Sequence, residues 1–198
     1  LEFDNIGSGL NHMVMLFSMY PNKINFFLEQ KNKFERNILL KEYESSKNII
    51  SNIENGVGYT NWSIYNTFLL KELAEGFEGN FDFLKHVINK GSSHSLNEIL
   101  VFSFSRMVEN ELIINNYKKA LDIETYKPYK VSDKLKVFLE SHINPFEIYS
   151  SSSIDGIFKG ENASTLVDQY ILFKKIIIYL FINDSELCLD ILKKVFGK

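Results

Sequence analysis

The chain has 198 residues and a net charge of −3, from 22 basic and 25 acidic side chains. Its 45% hydrophobic and 14% aromatic content excludes a disordered chain, and its length provides for one substantial core in a single domain, residues 1–198. Arg36 and Arg106 are the only arginines, so the basic surplus and arginine forks that read phosphate or guanine are missing, and nucleic acid is not an expected partner.

Three Pro and ten Gly leave few interruptions, which favours helices over short strands joined by tight turns. The first helix is expected over about Leu10 to Tyr20, carries Met13, Met15 and Met19, and stops at Pro21. The methionines read either as an adaptable contact surface or as gap-filling residues of a terminal helix. Pro21 then opens a helix with Ile24, Phe27 and Leu28 on one face. A longer helix is expected over Lys33 to Asn55, and Gly56-Val57-Gly58 ends it because glycine accepts the left-handed conformation.

Thr60 or Asn61 caps the next helix. Its apolar face runs through Trp62, Tyr65, Phe68 and Leu69 to Leu73, a turn follows at Gly76–Asn80, and Phe81, Leu84, Val87 and Ile88 form a returning helix. Ser95-Leu96-Asn97-Glu98 has the capping-box pattern and launches a helix to about Ile123. Tyr126-Lys127-Pro128-Tyr129 is a loop, a helix is expected from Ser132 to Ile143, and residues 150–162 form a Ser- and Gly-rich connection. A second hairpin fills 164–197 and turns at Asn183-Asp184-Ser185. Its apolar run Ile171–Ile182 is shorter than the roughly 20 residues that cross a bilayer, so it reads as a buried core helix and no membrane is expected.

These elements describe an all-α protein of eight or nine helices packed as antiparallel hairpins. The arrangement is either an α-solenoid in the style of tetratricopeptide arrays or an irregular helical bundle. Cys188 is the only cysteine, which fits a reducing, cytoplasmic setting, and its helical, apolar neighbours make it a core residue. Leu1-Glu2-Phe3-Asp4 lacks the blocks of a signal peptide and reads as the start of an excised or processed piece. The Lys-, Asn- and Ile-rich vocabulary fits an AT-rich bacterial or phage genome.

No residue pattern specifies a reaction. His-Glu-x-x-His, Glu-x-x-His, Gly-x-Ser-x-Gly and phosphate-cradling Gly-rich loops are all missing. Asp82 and His86 share a helix face with His94 nearby, but a surface hydrogen bond is the simpler role, so no metal and no cofactor is expected. The aromatics Tyr59, Trp62, Tyr65, Tyr126, Tyr129 and Tyr149 cluster at loops and helix starts, where such side chains anchor interfaces or pack the ends of a core. The expected function is binding another protein, as a recognition or scaffold domain without catalysis. The alternatives are an immunity or antitoxin protein that neutralises a cognate effector, and a helical enzyme whose site is assembled from distant residues, among them His86, His94 or His142.

Overall fold

The computed structural model describes residues 6–89, 165–183 and 185–196. Every regular element among them is an α-helix: α1 (Ile6–Met19), α2 (Pro21–Leu39), α3 (Tyr43–Val57), α4 (Asn61–Asn89), α5 (Leu166–Asn183) and α6 (Ser185–Phe196). The expected helices and loops between 90 and 164, with Tyr126, Tyr129, Tyr149, His94 and His142, lie outside the described residues. The described helices fall into two units, one containing α1, α5 and α6, the other containing most of α2 with α3 and α4.

In the first unit, α1 packs on both α5 and α6. Leu10, Met13, Val14 and Phe17 recur at three- and four-residue spacing, which places them on one face of α1. They meet Leu172, Phe173, Ile176 and Leu180 of α5 and Cys188 and Ile191 of α6. Phe17 stands edge-on to Tyr170 and Phe173, with ring centroids 5.6 and 5.3 Å apart, the arrangement that aromatic quadrupoles prefer. The methionine group is divided, with Met13 in the core and Met15 and Met19 exposed.

The start of α5 carries a reciprocal cap. The Asp168 amide donates to Thr165 Oγ1 (3.2 Å), and the Thr165 hydroxyl donates to Asp168 Oδ2 (2.9 Å). This satisfies one early amide and places a carboxylate where the helix dipole favours it. The boundary between α5 and α6 falls at the turn expected around Asn183–Ser185. Cys188 is fully buried, its thiol reaching the Ile177 carbonyl at 3.6 Å, and burial pushes the thiol pKa up, as expected for a core cysteine.

In the second unit, α2 starts with Pro21 at its first position, where the missing N–H costs nothing. It then continues through Lys33 to Leu39, past the point where a new helix was expected to begin. The ion pairs Lys33–Glu29 (2.7 Å) and Lys31–Glu35 support this span at four-residue spacing. The long helix expected over Lys33–Asn55 is instead broken at Leu40–Glu42, where Lys41 takes φ 59°. Glu42 N–H bonds back to the Asn37 carbonyl at 2.9 Å and closes the turn.

Ser46, Ile49, Ile50 and Ile53 form the buried face of α3, which packs on α4. Gly58 ends α3 with φ 94° and returns its N–H to the Glu54 carbonyl at 3.0 Å, as glycine at this position allows. Thr60 caps α4: its hydroxyl accepts the Ser63 amide (2.9 Å), while Ser63 Oγ accepts the Thr60 amide (3.1 Å). Serine here takes the part that Glu plays in a capping box.

Gly76 splits α4 with φ 71° and ψ −167°, a region essentially confined to glycine. Phe68 and Phe83 lie 5.0 Å apart across it. In a straight helix those positions would be about 22 Å apart along the axis, so α4 doubles back as a hairpin, as the turn expected at Gly76–Asn80 requires. Asn80 Nδ2 bridges the arms to Glu72 Oε2 at 2.7 Å. Gly76→Ala adds no clash, since nothing lies within 4 Å of the new Cβ. Its cost is conformational, about 1–3 kcal/mol, and a urea titration of the variant reads it directly. An unchanged midpoint would show that the turn does not need this backbone conformation.

Candidate functional site

Three surfaces among the described residues carry the side chains that bear on function. The first is the corner between α3 and α4, which holds Tyr59, Trp62 and Tyr65. Tyr59 is exposed in the linker, and its hydroxyl is held above the usual range by partial burial and then by the Glu54 carboxylate. Glu54 is itself raised by burial, an effect opposed by its hydrogen bond with Ser63. Trp62 stands edge-on to Phe27 (5.4 Å) and Phe34 (5.2 Å), tying α2 to the first turn of α4. Tyr65 is half-buried one turn further on. Of the three, Tyr59 is the one that reaches well into solvent.

A raised carboxylate has a definite consequence for stability. The folded state favours the protonated form of Glu54, so its contribution is fully present below the ordinary carboxylate range and is lost as pH rises through the raised value. Glu54→Gln is therefore expected to gain stability relative to the native chain between about pH 4 and about pH 7. Urea midpoints at the two pH values check this, and an identical difference at both would contradict it.

The second surface belongs to α5. Its buried side, centred on Leu172, Ile176 and Leu180, faces α1 and α6. The opposite side is also apolar: Ile178, Phe181 and Ile182 are 49%, 68% and 65% exposed. The segment expected to be a core helix is thus buried along one face only. Sequence periodicity misses this because α5 is apolar almost all round, and nothing in such a pattern marks which face meets neighbours.

The third surface lies on the returning arm of α4. Phe77 and Phe81 stack with centroids 6.1 Å apart and planes 11° apart. Lys85 Nζ sits 4.0 Å from the centre of the Phe81 ring, a cation–π distance. Beside this row run Glu78, Asp82 and His86, all exposed. Asp82 and His86 occupy one face as expected, yet no cluster of three His, Cys, Asp or Glu side chains among the described residues is placed to hold a metal ion. Asn80, on the same arm, is buried with its Oδ1 unpaired.

Among the described residues no helix is long and apolar enough to cross a membrane. Comparison with protein-family models, with curated proteins and with solved structures gives no match for this chain.

Proposed function

We propose that this chain is a protein-binding helical module that acts as a recognition or scaffold element and performs no catalysis. The observation that supports it best is the solvent-facing side of α5, where Ile178, Phe181 and Ile182 form an apolar ridge within two helical turns. Clustered large apolar side chains in water mark sites that another surface covers. The hairpins of α4 and of α5 with α6 are units of the kind that stack in α-solenoids or pack in irregular helical bundles.

The test is affinity capture from the source organism with the native chain and with Phe181→Ser/Ile182→Ser. A partner retained by the native chain and lost by the variant, at unchanged stability, supports the reading. The same partner retained by both would remove α5 as the binding face.

A further inference from the structure

The returning arm of α4 presents two parallel rows at four-residue spacing, Phe77–Phe81–Lys85 and Glu78–Asp82–His86. The stacked rings remain 50% and 40% exposed. Glu78 and Asp82 are exposed carboxylates with no ion pair among the described residues. Nearby, Lys71 pairs with Glu75 and Glu72 takes the Asn80 amide, so those carboxylates are already engaged. The lysine at the end of the aromatic row is directed onto the Phe81 ring. What faces solvent is therefore an aromatic ridge bordered along one side by unbalanced negative charge.

We propose that this face docks an amphipathic helix of a partner protein whose apolar stripe is flanked by Lys or Arg. A ridge of large side chains on one helix fits the groove between side-chain rows of another. Basic flanks would neutralise Glu78 and Asp82 and select against acidic helices. A second copy of this chain is a poorer occupant. Antiparallel two-fold packing of the aromatic rows would set both acidic rows along the same edge, where like charges repel. The proposal rests on α4 residues alone and stands or falls independently of the α5 face.

The experiment uses the full chain and two fluorescein-labelled synthetic helical peptides with identical leucine stripes, one flanked by lysines and the other by glutamates. Fluorescence anisotropy is expected to show the lysine peptide bound at least about tenfold more tightly. Glu78→Lys/Asp82→Lys should reverse that preference, and Phe81→Ser should remove binding. Glu186→Lys/Asp190→Lys, which changes net charge equally on α6, and Phe181→Ser should leave the preference intact. Equal affinity for both peptides, an equal effect of the α6 charge variant, or unchanged binding by Phe81→Ser overturns the proposal. So does a dimer in sedimentation equilibrium that Phe81→Ser dissociates, since a second copy would then occupy the face.

Discussion

Phe34→Ala is expected to destabilise the unit built from α2, α3 and α4 by about 3–5 kcal/mol. Phe34 is 2% exposed and meets the edge of Trp62, which also holds Phe27. Truncation leaves a cavity beside an indole that cannot follow it, because α4 is anchored two residues before Trp62 by the Thr60 cap. A loss of that size is a large share of the roughly 5–15 kcal/mol that holds a domain folded. Trp62 is the only tryptophan, so its fluorescence reports the transition in urea. Leu39→Ser, at an exposed position at the end of α2, should stay within about 0.5 kcal/mol. If Phe34→Ala is no worse than Leu39→Ser, the aromatic cluster does not hold α2 in place.

Leu172→Ala should cost about 2–5 kcal/mol in the other unit. Leu172 is fully buried among α1 and α6 side chains, whereas Ile178, six residues along the same helix, faces solvent. Ile178→Ala is expected to change stability by no more than about 0.5 kcal/mol. Cys188, buried in the same cluster, supplies the readout, because its thiol reacts with an alkylating reagent only when the cluster opens. With opening at equilibrium, labelling rises about tenfold for each 1.4 kcal/mol lost. Leu172→Ala should therefore label at least about thirtyfold faster than the native chain. Equal acceleration by both variants would show that α5 does not bury one face in preference to the other.

Local signals in the chain were legible where one residue type determines a backbone conformation. Pro21 opens α2, Gly58 closes α3, Thr60 caps α4 and Gly76 turns it, each within a residue or two of the place expected. Thr165-x-x-Asp168 is the same kind of signal, and it places the start of α5 two residues past Ser164. The break at Leu40–Glu42 was hidden because Lys41, not Gly or Asn, takes the left-handed conformation and both neighbouring leucines continue a helical pattern. The aromatic corner divided for a different reason. Trp62 lies at a helix start, a common place for an interface anchor, but Phe27 and Phe34, which hold it, lie more than twenty-five residues upstream and invisible to local periodicity. The exposed rows on α5 and α4 share that limit, since the sequence shows an apolar or aromatic residue but not whether a neighbour covers it.

The reversal at Gly76 also bears on the order in which contacts form. Glu72 meets Asn80 eight residues later, and Phe68 meets Phe83 across the same short turn. Loops of about ten residues close within roughly 10–100 ns. Phe17 of α1, by contrast, meets Tyr170 across more than a hundred residues of chain, and closing that loop costs on the order of 2 kcal/mol more in chain entropy. The hairpin of α4 is thus expected to gain protection early in refolding, with α1 docking on α5 and α6 late. Pulse-labelled amide exchange reads that order, and simultaneous protection of both regions would show that the short turn confers no kinetic lead.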